Sequence, residues 1–185
     1  MTTDELRDAI REHAYLEGDF VLRSGRRSRY YLDKYRFETR PELLEAIGAR
    51  IADQVAEHEP EAARLAGPEL GAVALVAAAS LASGLPFLIV RKQAKGYGTG
   101  NRLEGRFETG ERVCLVEDVV TSGGAALSAV EALREAGLEC RTAVCVVDRE
   151  EGGVDELARH GIRLRPLFRA ADLLTPEKVP EKPYG

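Results

Sequence analysis

The stretch 113-VCLVEDVVTSGGAAL-127 joins an aliphatic run to two adjacent acids, a Thr-Ser-Gly-Gly turn and a series of small residues. Branched aliphatics without a clean two-residue alternation predict a strand covered on both faces, and the small residues beyond the turn predict a helix. Carboxylates inside such a strand are unfavourable unless they have a task there. Thr121, Ser122, Gly123 and Gly124 offer two hydroxyls and a row of backbone N–H groups unshielded by large side chains at a helix start, which suits a phosphate. Gly-Gly turns are also frequent as plain solvent-facing loops. Glu117 and Asp118 favour the site: like charge keeps them off a phosphate, but they accept hydrogen bonds from the hydroxyls of a sugar attached to it. A ribose phosphate satisfies both halves of the stretch.

Outward from this stretch the chain alternates strand and helix. A short strand runs from Leu65 into 67-GPELG-71, an alanine-rich helix reaches Gly84, and strand 86-PFLIVRK-92 leads into a polar loop. After 112-RVCLVEDVV-120 come a helix over about 125–136, strand 141-RTAVCVVD-148, helix 154-VDELARH-160 and strand 162-IRLRPLF-168. This pattern predicts an α/β fold with an open, mainly parallel sheet flanked by helices, and the loops after residues 66, 92, 120 and 148 should face one crevice. Upstream, Thr2-Thr3-Asp4-Glu5 is a capping-box pattern, with Leu6, Ala9, Ile10 and Leu16 at helical spacing before a stop at Gly18. The runs 20-FVLR-23 and 29-RYYLD-33 read as a hairpin or two edge strands, a small addition to the main sheet. Thr39-Arg40-Pro41-Glu42 reads as a second capping box opening a long helix toward His58.

The chain has 185 residues, 44% of them hydrophobic, enough for one domain with a substantial core. A net charge of −5 argues against a broad grip on nucleic acid or an anionic membrane. The amphipathic, acidic start MTTDELRDAI is unlike a signal peptide, and the chain reads as cytoplasmic. Cys114, Cys140 and Cys145 lack CxxC spacing and read as buried thiols; His13, His58 and His160 have no metal-ligand spacing. The Pro- and charge-rich 175–185 segment reads as a loose tail.

The run 115-LVEDVVTSGGA-125 resembles the signature of the type I phosphoribosyltransferases. The resemblance implies that Glu117 and Asp118 meet the ribose hydroxyls of phosphoribosyl pyrophosphate (PRPP), that Thr121, Ser122, Gly123 and Gly124 hold its 5-phosphate, and that Val119, Val120 and Ala125 belong to the same PRPP-binding run. Three further segments are similar to those of orotate phosphoribosyltransferases. In 91-RKQAKGYG-98, Arg91, Lys92 and Lys95 set three cations within five residues among glycines, a composition suited to a loop closing over pyrophosphate; Tyr97 stands where the family commonly has a histidine. In 22-LRSGRRSRYYLD-33, Arg23, Tyr30 and Tyr31 are implied to cover the base, with Arg23 in a lysine's place. In 147-VDREEGG-153, Arg149 is implied to take the orotate carboxylate and Thr121 to contact the base. The loop 67-GPELG-71 falls where the family binds pyrophosphate, but a lysine present there in some members is absent, leaving the backbone around Leu70 and Gly71.

The implied organisation is a single type I phosphoribosyltransferase domain, with a base-covering hood over 1–38, an α/β core over 39–174 and the tail. The implied reaction joins orotate to PRPP, with Lys95, Glu117 and Asp118 as catalytic residues. Mg2+ rides on the pyrophosphate rather than on protein ligands, and a homodimer shares its basic loops between sites. A purine or uracil acceptor, or a non-catalytic ligand-sensing regulator, are the alternatives; neither the acidic first helix nor the short tail supplies the basic recognition helix a regulator needs. The GYGTG run at 96–100 lacks the following helix that a dinucleotide loop requires.

Overall fold

The aliphatic runs become the strands of a six-stranded sheet, in a computed structural model that describes residues 1–21, 25, 27–93 and 102–173. The chain opens with α1 (Thr3–Ala14), whose capping box forms as the sequence predicts: the Thr2 side chain accepts from the Glu5 N–H, and Glu5 accepts from the Thr2 N–H. Then follow β1 (Tyr15–Val21), β2 (Arg27–Leu32), α2 (Tyr35–Glu38), α3 (Pro41–His58), β3 (Arg64–Pro68), α4 (Ala72–Ser83), β4 (Phe87–Val90) and β5 (Leu103–Glu104). The remainder is β6 (Arg112–Val120), α5 (Gly124–Glu135), β7 (Glu139–Asp148), α6 (Gly153–Arg159), β8 (Arg163–Arg169) and α7 (Ala170–Leu173).

The main sheet runs β5-β4-β3-β6-β7-β8. Its neighbours are parallel except for β5, which returns antiparallel to β4 through Ile89↔Glu104 and Val90↔Leu103. One apolar cluster joins α1, α3 and α4 to one face through Leu6, Ile47, Leu75, Cys114 and Val144; the other joins α5 and α6 to the opposite face through Leu115, Leu133, Cys145 and Leu157. Burial on both faces explains why these strands lack two-residue alternation. All three cysteines are free and buried, and burial pushes the Cys140 thiol up to about 12. No described helix is long and apolar enough to cross a membrane.

Several local expectations are corrected. The first helix stops at Ala14, not near Gly18, because Tyr15 and Leu16 take cross-strand partners Leu32 and Tyr31; tertiary pairing overrides helical spacing. The hairpin β1–β2 forms a separate two-stranded sheet and does not extend the main one. The second capping box does not form. Thr39 Oγ1 instead donates to the Tyr35 carbonyl at the end of α2, Arg40 occupies the cap without a side-chain bond, and Glu42 pairs with Arg40. Pro41 opens α3 as expected.

Candidate active site

Strands β3 and β6 last pair at Ala66↔Leu115, whereas β6 stays paired with β7 as far as Val120↔Asp148. From β3 the chain turns through α4 to β4, and from β6 through α5 to β7, so the connections diverge and a crevice opens between them. This is the switch point at which open α/β sheets receive ligands. Glu117 and Asp118 stand there, beyond the last β3 pairing, each only 6% exposed. Because successive residues of a strand face opposite ways, the two carboxylates do not act as one pair. Glu117 lines a cavity of about 540 Å3 together with Val119–Ala126, Tyr31, Arg149 and Glu151. Asp118 accepts from its neighbour's Val119 N–H and from Lys34 Nζ.

The turn after β6 is set by glycine. Gly123 sits at φ 86° and leads into α5, which has neither a side-chain cap nor an acid in its first turn. Its first N–H groups are therefore not taken by a cap, and the helix dipole adds a positive bias. Gly153, at the start of α6, lets the neighbouring loop pack against this turn: a Cβ there would lie 2.5 Å from the Thr121 carbonyl oxygen. Thr121 and Ser122 are exposed to the cavity mouth.

Arg149 enters the same cavity from the end of β7. Its backbone N–H donates to the Val120 carbonyl at 2.8 Å, and the buried Asp148 carboxylate accepts from the Glu150 N–H at 2.9 Å, which fixes the turn. The guanidinium lies 3.3 Å from Glu151 and 5.5 Å from the centre of the Tyr30 ring, which itself stacks on Tyr15. Arg149 Nε is buried without a hydrogen-bond partner among the described residues. Strand alternation separates the two hood tyrosines: Tyr31 lines the cavity and packs on Phe20, while Tyr30 supports Arg149.

On the Asp118 side, Lys34 and Glu38 complete a cluster that the sequence reading passed over. Burial, reinforced by Asp118 and opposed by Lys34, lifts Glu117 to about 8 and Glu38 to about 8. For Lys34, burial pulls the ammonium down, but the hydrogen bond and charge of Asp118 outweigh it and leave the lysine raised. Gly71 is essential to this packing, since a Cβ would run into the Asp118 carboxylate and stand 2.5 Å from Lys34 Nζ. Leu70 beside it is exposed. The four-residue spacing of Lys34 and Glu38 in 33-DKYRFE-38, directly after the hairpin, relates these two to each other but carries no sign of Asp118, 84 residues away.

At the base of the basic loop, Arg91 lies 3.8 Å from Glu104, and the Lys92 N–H donates to Glu69 Oε1 at 2.8 Å. Arg23, Lys95 and Tyr97 lie outside the described residues. No group of three or more His, Cys, Asp or Glu among the described residues is arranged to hold a metal ion.

A crevice at the switch point, with two buried carboxylates on β6 and a glycine turn opening α5, defines a class by its architecture, and comparison with known proteins agrees: the phosphoribosyl transferase domain family matches residues 39–160, and the chain belongs to it. Within it, similar proteins carry a narrower name. The chain is 49% identical over 176 residues to the orotate phosphoribosyltransferase of Halobacterium salinarum, covering 95% of this chain and 98% of that one. It is 52% identical over 157 residues to that of Methanocella arvoryzae, covering 85% and 88%. The crystal structure of the Mycobacterium tuberculosis H37Rv orotate phosphoribosyltransferase superposes with a TM-score of 0.82 at 34% identity, covering 92% of this chain and 98% of that one.

Proposed function

We infer that this chain is an orotate phosphoribosyltransferase of pyrimidine biosynthesis, transferring ribose 5-phosphate from PRPP to orotate with release of pyrophosphate. The observation that carries the reading is the shared cavity: Arg149, a preset guanidinium suited to a planar carboxylate, opens onto the same space as the phosphate turn Val119–Ala126. The 5-phosphate occupies that turn, from Val119 to Ala125. Glu117 and Asp118 bind the ribose hydroxyls from opposite faces of β6. With its carboxyl lifted to about 8, Glu117 carries a proton at neutral pH and can donate to a ribose oxygen as well as accept. Thr121 and Tyr31 border the base, and Arg149 takes its carboxylate, with Tyr30 beneath; Arg23 completes the base contacts.

As the bond from C1′ to the leaving oxygen weakens, positive charge grows on the ribose and negative charge on the pyrophosphate. Asp118 favours the first, while Glu117 orients the ribose. Arg91, Lys92, Lys95 and Tyr97, with the backbone at Leu70 and Gly71, favour the second, Lys95 being assigned as the donor to the departing oxygens. Mg2+ arrives as part of the PRPP substrate and neutralises its pyrophosphate. The hood over 1–38, the core over 39–174 and the tail over 175–185 act as one cytoplasmic domain, and a homodimer places basic loops over partner sites.

The test is orotate consumption followed by ultraviolet absorbance with PRPP and Mg2+, with adenine, hypoxanthine and uracil in parallel. Loss of orotate dependent on all three components is the expected result. Turnover of another base with orotate untouched would overturn the acceptor assignment, and tight PRPP binding without turnover of any base would point to a sensor.

A further inference from the structure

We propose that Lys34, borne on the segment after the β1–β2 hairpin and hydrogen-bonded to Asp118, is a further cation of the pyrophosphate subsite, the one that serves the 67–71 loop. This rests on the reading of the crevice as a PRPP site. The loop 67-GPELG-71 at the start of α4 contains no cation of its own; its one ionisable residue, Glu69, accepts the Lys92 N–H. A pyrophosphate set against that loop needs a positive charge from elsewhere. Lys34 Nζ supplies it from directly above Gly71, the N-cap of a twelve-residue helix whose cap has no side-chain bond, in the space that any other residue's Cβ would crowd.

The geometry also defines an exchange. Lys34 donates to Asp118, each neutralising the other inside a half-buried pocket. Ribose hydroxyls arriving at Asp118 compete for the same carboxylate oxygens, and the pyrophosphate offers Lys34 a replacement anion a short swing away. Glu38 stands behind the lysine, 3% exposed, with Oε1 lacking a hydrogen-bond partner among the described residues. Tyr31, three residues before Lys34, lines the base cavity, so the same short segment touches the acceptor and the leaving group.

Binding of magnesium pyrophosphate and, separately, of orotidine 5′-monophosphate by calorimetry tests this in the wild type, Lys34→Met and Asp118→Asn. Lys34→Met is expected to weaken pyrophosphate about 10- to 100-fold, the range for one lost charge-assisted contact, and to raise the KM for PRPP, while leaving the nucleotide, which has no pyrophosphate, within about threefold. Asp118→Asn should do the reverse, weakening the nucleotide and leaving pyrophosphate equal or tighter. Equal losses of both ligands in Lys34→Met, or no loss of pyrophosphate, would overturn the assignment and leave Lys34 as a mere counter-ion of Asp118. Should that variant fail to fold, a wild-type crystal with magnesium pyrophosphate decides: Nζ on a pyrophosphate oxygen supports the proposal, and Nζ still on Asp118 refutes it. A wild type that binds pyrophosphate but never consumes orotate would defeat the acceptor reading alone, with the Lys34 comparison still valid.

Discussion

Replacing Arg149 with alanine removes the one guanidinium among the described residues that opens onto the cavity beside the turn after β6. Its side chain is only 11% exposed and is braced by Glu151 and the Tyr30 ring, so little freedom is lost when it binds a carboxylate. A hydrogen bond to a charged group contributes about 1.5–3 kcal/mol. At 1.4 kcal/mol per tenfold, the KM for orotate should rise about 10- to 100-fold. Arg149→Lys keeps the charge without the two-pronged geometry and should recover only part of the loss. The assay is initial-rate absorbance at varied orotate and saturating PRPP, with uracil, which lacks the carboxylate, as comparison. Discrimination between orotate and uracil should collapse while the KM for PRPP moves little. An unchanged orotate KM, or an equal loss for uracil, would refute the carboxylate contact.

Lys95→Ala should lower kcat at least about a hundredfold, near the 2.7 kcal/mol of one transition-state donor, in the same assay; full turnover would remove Lys95 from the leaving-group role. Glu38 has a folded-state carboxyl at about 8 against an ordinary 4.5, so the folded chain holds more protons than the unfolded one between those values, and stability falls as pH rises through that window. Glu38→Gln should therefore flatten the decline of Tm with pH and melt a few degrees above the wild type at pH 8.5, at about 2–4 °C per kcal/mol; parallel curves would contradict the burial argument. Gly153→Ala puts a Cβ 2.5 Å from the Thr121 carbonyl oxygen and 2.5 Å from Val120 Cγ1. It should cost about 1–3 kcal/mol in thermal stability and raise the KM for PRPP, and a variant with wild-type values for both would show that the turn has slack.

The core strands were legible because burial on both faces writes itself as unbroken aliphatic runs: 112–120 is strand to the residue. The turn 121–124 was legible because its glycines answer to backbone geometry that the motif states directly. What escaped depends on contacts distant in sequence. Leu16 fits a helix by spacing, yet its partner Tyr31 recruits it to a strand. Thr39 fits a helix start by type, yet the preceding turn claims its hydroxyl. The antiparallel β5 is two residues long, too short to leave a pattern. Lys34 meets Asp118 across 84 residues, and nothing local to 33-DKYRFE-38 announces that meeting. The opposite facing of Glu117 and Asp118 follows from strand period alone and was available once β6 was assigned.

The β1–β2 hairpin takes its register from its own pairs, Tyr15↔Leu32 to Val21↔Arg27, and not from the main sheet. The proposed acceptor wall at Tyr31 and the proposed donor cradle at Thr121–Gly124 line one cavity but sit on separately registered pieces of backbone. Mutational drift in the hairpin can reshape which base is welcomed while the ribose-phosphate grip stays in register. Arg149 and Thr121 belong to the main sheet, so drift in the hairpin alters one wall of the pocket and not the whole of it, and Tyr30, 5.5 Å from the Arg149 guanidinium, is where the two pieces meet.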